Sequence, residues 1–349
     1  MTYELIRISA EEMKVKAAGV KPLPVEQSGA WDDFETRVGR KVFGRYEFVK
    51  SGRTIALISL TEHDIRGVKF LWAKKGPVWL RSQSPDNEAA LREALVLEVK
   101  KRDPKVAFVR LHARYSAPDL KELINTMSYD RTVLIDTCGG DMEKMLAAMP
   151  NEGRRSMRRS FKRAQEGGAQ AVDLTDIDRE AFNEIYDVIA ETANRNGFSI
   201  HPISVYWNML DALRPNHARL YGVRYEGAIV AWVMVVMNDG EAAAYYGAHS
   251  SAGRQVLASE YLDCWTTLEL GKEGIVSLDL MGVDSTRFPE LYELGIYKRR
   301  FAAAATEVDG AWDLPVHPVL YDGLRIAKQG KRAYTGARAL GEKLLNKVR

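Results

Sequence analysis

Cysteine is scarce in this chain: only Cys138 and Cys264 occur in 349 residues. They stand far apart and in no metal-ligand spacing, which excludes a disulfide-stapled scaffold and argues against a structural zinc site. Long apolar runs are missing too. No stretch approaches the roughly 18 apolar residues of a spanning helix, and the longest, residues 228–237, has the length of a strand. The opening Met1-Thr2-Tyr3-Glu4-Leu5-Ile6-Arg7 carries charge where a secretory signal needs an apolar core. A large excess of one charge is absent: 50 Lys and Arg against 47 Asp and Glu leave +3. Only local clusters can therefore attract a polyanion. Ser/His/Asp order, a Walker loop and a His-Glu-x-x-His pattern are also missing. These absences lead us to expect a cytosolic globular protein with room for two cores and no resident metal or cofactor.

What is present reads as one plan used twice. In the first half, residues 45–50 and 53–60 flank Ser51-Gly52, a hairpin signal. Residues 68–73 form a third apolar run before Lys74-Lys75-Gly76-Pro77. Residues 87–101 have helical periodicity through Leu91, Leu95 and Val99. Strands are expected at 106–111 and 132–136, with a short helix at 117–127. In the second half a helix is expected over 179–196, stopped by Gly197. Three strands follow at 219–225, 228–237 and 241–248, turned by Glu226-Gly227 and Asn238-Asp239-Gly240. A helix at 257–272, a strand at 276–281 and a last strand at 300–308 complete the copy. The repeated order suggests duplication and predicts an α/β (mixed α+β sheet) fold of two tandem GNAT-like acyltransferase domains. The first would span 1–140, with 312–349 packing back on it, and the second 141–311.

Four constellations stand out. Residues 151–168 read as a helix capped by Asn151 and ended by Gly167-Gly168, carrying Arg154, Arg155, Arg158, Arg159, Lys162 and Arg163 opposite a seam of Met157, Phe161 and Ala164. No acid before Glu166 stands at i,i+4 spacing from one of these cations, so phosphate is the natural counter-ion, from RNA or lipid. The tail from Arg325 is basic as well, with Glu342 its single acid. Tyr245-Tyr246 ends a strand, where alternation would send the two rings to opposite faces. Ala252-Gly253-Arg254-Gln255 precedes a helix but lacks the Arg-x-x-Gly-x-Gly/Ala spacing of a coenzyme A loop, which argues against an acetyltransferase. His112, next to Arg110 and Arg114, could serve as a general base, with Arg110 as a substrate-binding candidate. His201 lies in a loop with Tyr206 and Trp207 just after it, and His201 and Tyr206 are further substrate-binding candidates. Finally, Lys298 lies in an aromatic frame, Tyr297-Lys298-Arg299-Arg300-Phe301, where a cation can steady an oxyanion.

These pieces together resemble the Fem family of aminoacyl-tRNA-dependent peptidyltransferases, which build peptidoglycan interpeptide bridges. The matching segments are Pro24-Val25-Glu26-Gln27-Ser28-Gly29-Ala30-Trp31, Lys75-Gly76-Pro77-Val78, the basic helix, and residues 193–203, 246–250, 279–283 and 291–301 running to Gly310-Ala311-Trp312-Asp313. They fall in order over residues 24–321, without the helical arm of the staphylococcal members, so the compact, monomeric type is the one resembled. The resemblance implies aminoacyl-tRNA as donor and a muropeptide precursor, lipid II or UDP-MurNAc-pentapeptide, as acceptor. It puts Lys298, with Tyr297, at the tRNA acceptor end, and Tyr246 on the sugar-nucleotide. It departs from the family at His112 (an acid in relatives), at His201 (an arginine), at Val205 or Tyr206 (a tyrosine), and at Asp32, Asp33 and Glu35, where a lysine is expected. Those departures open the acceptor to a lipid-linked or non-peptidoglycan amine. Peripheral contact with the inner membrane face is a further expectation, and a non-catalytic tRNA- or membrane-binding module is the remaining alternative.

Overall fold

The computed structural model describes residues 2–65, 67–124 and 128–328. Its first half contains three antiparallel strands, Val42–Lys50, Arg53–Ile65 and Val68–Trp72. The helix Pro85–Arg102 then crosses over, and Phe108–Ala113 returns parallel to Val68–Trp72. The second half repeats this with Ala218–Tyr225, Ala228–Asn238 and Glu241–His249, the crossover helix Ala258–Lys272, and Ser277–Gly282 parallel to Glu241–His249. A parallel return needs such a crossover, whereas the antiparallel strands need only tight turns. At Asp239-Gly240 both turn residues have positive φ, 47° and 81°, which matches the twist of the flanking strands.

The next strand of each half joins the other half's sheet. Arg131–Asp136 pairs antiparallel with Ser277–Gly282, and Gly310–Pro315 pairs antiparallel with Phe108–Ala113. A boundary at residue 140 therefore falls too late. Arg131–Asp136 belongs to the second sheet because its alternate residues Val133 and Ile135 bury in the second core. Likewise Gly310 and Ala311 sit in the first sheet, not the second. The exchange gives two seven-stranded sheets among the described residues.

Three local expectations fail for identifiable reasons. Residues 117–124 are not helical, because the Lys121 backbone pairs in both directions with Asp313, at 2.8 and 2.9 Å; residues 125–127 lie outside the described residues. The expected strand at 300–308 shrinks to Thr306–Glu307, after a helix at Tyr292–Lys298. Its alanine run, residues 302–305, offers a sheet little side chain to bury. Pro150, not Asn151, takes the N-cap position of the basic helix Asn151–Gly167.

The N-terminal segment ties the halves together. Val25, Trp31 and Phe34 pack with Phe182, Tyr206 and Trp232 in one apolar cluster of the second half. The Gln27 amide meanwhile bonds Ser59 and the Lys74 carbonyl of the first. No helix among the described residues is long and apolar enough to cross a membrane. The basic tail beyond residue 328 lies outside the described residues.

Candidate active site

Lys298 is the last residue of the helix Tyr292–Lys298. Its ammonium donates to the carbonyls of Met281 and Gly282, at 3.2 and 2.9 Å. Those carbonyls are available because the ladder between Ser277–Gly282 and Arg131–Asp136 is bulged between Asp279 and Gly282, with Met281 at φ 65°. A bulge of this kind re-aims backbone groups at a strand end. Burial lowers the Lys298 pKa to about 8, while the Asp279 and Asp263 carboxylates hold it up. Asp263 is itself raised to about 6 by burial, against the bond it accepts from Tyr297 Oη at 2.5 Å. Tyr297 is thus committed to Asp263 and braces Lys298 from behind; burial and that carboxylate push its hydroxyl far above the usual tyrosine range.

The first half contributes Lys75. Its ammonium lies 3.3 Å from Asp279 Oδ2 and 2.6 Å from Tyr129 Oη. Burial opposes the charge on Lys75, but Tyr129 and Asp279 outweigh it and its pKa is raised. Asp279 Oδ1 accepts from Thr132 Oγ1 and, at 2.7 Å, from the Met281 amide. One carboxylate therefore fixes the bulge, the exchanged strand and the opposite domain at once. Neither Lys75 nor Asp279 was singled out from the sequence as a site residue. The available signals were an acid inside the apolar strand Leu278-Asp279-Leu280 and two lysines before Gly76-Pro77.

The neighbouring Lys74 carries the site to a wall of aromatic rings. Its ammonium sits 5.4, 4.9 and 6.0 Å from the ring centres of Trp31, Trp72 and Tyr245. Tyr245 and Tyr246 lie side by side, centroids 5.3 Å apart, not on opposite faces. A second bulge, opposite Met234 and Val235, inserts an extra residue there and breaks the alternation. Tyr206 stacks edge-on against Tyr246 at 4.8 Å, but it is buried and its hydroxyl accepts from the His201 amide at 3.2 Å. It holds the loop. His201 is exposed, 6.3 Å from the Tyr246 ring; burial, then the charges of Lys74 and Arg40, lowers its pKa.

Two sequence candidates take other roles. Arg110, expected to bind substrate, is 1% exposed and forms two bonds to Asp313, at 2.7 and 3.1 Å. Rings of Phe70, Trp72 and Phe108 surround its guanidinium. It is a buried structural cation, because the exchanged strand brings Asp313 into register with it. His112 bonds the Asp309 carbonyl through Nδ1 at 2.9 Å, and its amide donates to the Gly76 carbonyl at 2.8 Å. Burial, reinforced by Lys75, drops its pKa to about 4. At neutral pH it is an uncharged, weak base that anchors the Lys75 turn.

The basic helix adjoins this centre directly. A Cβ on its Gly153 would overlap the Arg300 carbonyl oxygen, so only glycine lets the helix approach the Lys298 segment this closely. Its six cations are not equivalent. Arg158 pairs with Glu143 at 3.1 Å, Lys162 with Glu166 at 3.7 Å, and Arg163 donates to the Gln255 carbonyl. Arg154 leans on Asn151. Arg155 and Arg159 are exposed and have no ion-pair partner among the described residues. In the short helix Ser251–Gln255, Gly253 is packed against the Val230 carbonyl and its amide donates to Ser250 Oγ at 3.2 Å.

Residues 151–313 match the acetyltransferase (GNAT) domain family. A comparison with curated proteins finds no match. Among solved structures the fold is similar to FemX, with TM-score 0.72 and 15% identity over 92% of this chain and 100% of that chain. It is also similar to a tandem GNAT protein from the clavulanic acid biosynthesis pathway, TM-score 0.53 and 12% identity over 91% and 99%. A third is the C-terminal domain of a putative lysylphosphatidylglycerol synthetase from Agrobacterium fabrum, TM-score 0.52 and 14% identity over 88% and 93%. The chain has the fold of two tandem GNAT-like acyltransferase domains, laid out as in FemX.

Proposed function

We propose that the chain is an aminoacyltransferase that moves an amino acid from aminoacyl-tRNA to the amine of a peptidoglycan precursor. The observation that supports it most is Lys298: a half-buried ammonium on the carbonyls of a strand bulge, with the basic helix packed against the next turn of chain. The fold likeness to FemX and the colinear Fem-family segments agree with this reading.

The ester of aminoacyl-tRNA is already activated, so placement and charge stabilisation can supply most of the acceleration. The acceptor amine attacks the ester carbonyl, and a C–N bond forms. The C–O bond to the ribose then breaks. Lys298 offsets the negative charge of the tetrahedral oxygen, gives its proton to the leaving ribose oxygen, and recovers one from the nitrogen. A pKa near 8 suits a group that must both hold and release a proton near neutrality. Lys75 and Asp279 fix the bulge that positions Lys298. Tyr246 and His201 present the exposed edge of the aromatic wall to the acceptor, and Arg155 and Arg159 meet the tRNA backbone. The enzyme would work as a monomer in the cytoplasm, where both substrates are made.

One observation favours a second acceptor class. Asp32 is engaged by Arg45, and Glu35 by Trp31 and Arg40, so the stretch where the Fem resemblance expects a lysine offers no cation to a diphosphate. A small-molecule amine fits that stretch equally well. Incubation with alanyl-, seryl- or glycyl-tRNA and either lipid II, UDP-MurNAc-pentapeptide or a panel of amines separates the two by product mass. Transfer from acetyl-coenzyme A and from none of the charged tRNAs would sink the aminoacyl reading.

A further inference from the structure

The described chain ends in helical backbone over residues 318–328. One side of this helix is anchored. Tyr321 is fully buried, packs edge-on against Phe108 at 5.3 Å and donates to Asp313 and the Glu122 carbonyl. The other side is uncovered. Val319 is 89% exposed, Ile326 67% and Leu320 44%. Beside them runs an open apolar groove lined by Pro104, His317, Val319, Leu320, Leu324 and Ala327.

Cations surround this groove. Pro104 is flanked in sequence by the exposed Lys100, Lys101 and Lys105, and the helix carries Arg325. Asp103 is engaged by Lys69 at 2.9 Å, while Asp322, 4.0 Å from Arg325, offsets that one arginine. In sequence, residues 329–349 add Lys331, Arg332, Arg338, Lys343, Lys347 and Arg349 against the single acid Glu342.

We propose that this groove is a docking surface for an anionic phospholipid bilayer. Val319, Leu320 and Ile326 enter the boundary between headgroups and acyl chains, and the surrounding lysines and arginines meet the headgroup phosphates. Apolar residues flanked by cations are what an interfacial helix needs. A polyanion without an apolar phase, such as RNA, would leave the three apolar side chains in water. A second copy of the chain, docked by the same face about a two-fold axis, would set these cations against themselves. The basic helix Asn151–Gly167 differs: none of its residues is among the exposed large apolar side chains. The inference does not rest on the proposed transfer reaction.

The test is co-sedimentation of the full chain with vesicles of phosphatidylcholine alone and of phosphatidylcholine mixed with phosphatidylglycerol. Binding is expected only to the mixed vesicles, weakening as salt rises. Val319→Asp with Ile326→Asp, at exposed positions, should lower partitioning about tenfold or more. Lys101→Glu with Lys105→Glu should also lower it, and Arg155→Glu with Arg159→Glu should leave it unchanged. Far-UV circular dichroism verifies folding of each variant. Absence of binding, binding indifferent to the apolar substitutions, or loss only in the basic-helix variant overturns the proposal. So does a dimer of the free chain that Val319→Asp dissociates, since a second copy would then cover the groove.

Discussion

The fourth strands of the two halves occupy equivalent places and end in opposite environments. Phe108–Ala113 meets its exchanged partner in an unbroken ladder of six register pairs, and Arg110 faces Asp313 within it. The Asp313 carboxylate there is heavily engaged: it also accepts from Tyr321 Oη at 3.0 Å and the Ile124 amide at 3.1 Å. Ser277–Gly282 meets its partner in a broken ladder. There the bulge leaves carbonyls facing Lys298 and lets Asp279 reach Lys75 across the domain boundary. The same duplicated position has been closed by a regular ladder in one half and kept open by a bulge in the other. Regular pairing fills a site with structure; irregular pairing leaves groups available to a ligand.

The largest effect should come from breaking the closed half. Arg110→Met leaves the Asp313 carboxylate buried without its partner and should cost about 3–5 kcal/mol in urea unfolding. Asp279→Asn, partly solvated and still able to accept hydrogen bonds, should cost only about 1 kcal/mol. Equal losses would erase the contrast between the two positions. In activity the order reverses. Lys298→Ala should lower aminoacyl-transfer turnover about 10²-fold, or about 2.7 kcal/mol, with little change in unfolding. An unchanged rate would remove Lys298 from the mechanism. Lys75→Ala, acting through the bulge, should cost about tenfold in turnover and be partly rescued by Lys75→Arg.

Much of the plan was legible in the sequence because it is written in periodicity and turns. The hairpins at Ser51-Gly52 and Asp239-Gly240, the helix through Leu91, Leu95 and Val99, and the basic helix stopped by glycine are all local signals. What stayed hidden is non-local. Nothing around Val133 says that its strand will cross to the other sheet, and nothing around Arg110 names Asp313, about 200 positions away, as its partner. The bulges were hidden for a related reason. Strict alternation places Tyr245 and Tyr246 on opposite faces, and only the register with Met234 and Val235 shows that one residue is extra. Lys298 was legible by its aromatic frame, whereas Lys75 and Asp279 acquire meaning only when two distant segments meet.

Titration sharpens the comparison within the open half. If the ammonium of Lys298 is the working form, turnover should fall as pH rises through about 8, by about tenfold per pH unit well above it. Lys298→Arg, if active, should move that limb out of the measurable range, because a guanidinium stays charged. Asp263 supplies the finer test. Its carboxylate supports the Lys298 charge, so Asp263→Asn should move the limb to lower pH. A limb that stays in place in Asp263→Asn would assign it to another group.

The smallest expected effects separate the cations of the basic helix, which has no counterpart at the closed site. Arg155 and Arg159 are exposed without ion-pair partners, whereas Arg158 and Lys162 already face Glu143 and Glu166. Exposed pairs of that kind hold little energy, but they offset two of the six positive charges offered to a phosphate backbone. Charge-neutral Arg155→Gln with Arg159→Gln should therefore reduce the salt dependence of tRNA binding by about two phosphate contacts. Arg158→Gln with Lys162→Gln should reduce it by less. A filter-binding series over salt concentration reads both slopes. Equal slopes would mean that Glu143 and Glu166 release their partners on binding, and that the helix presents all its cations to one surface beside Lys298.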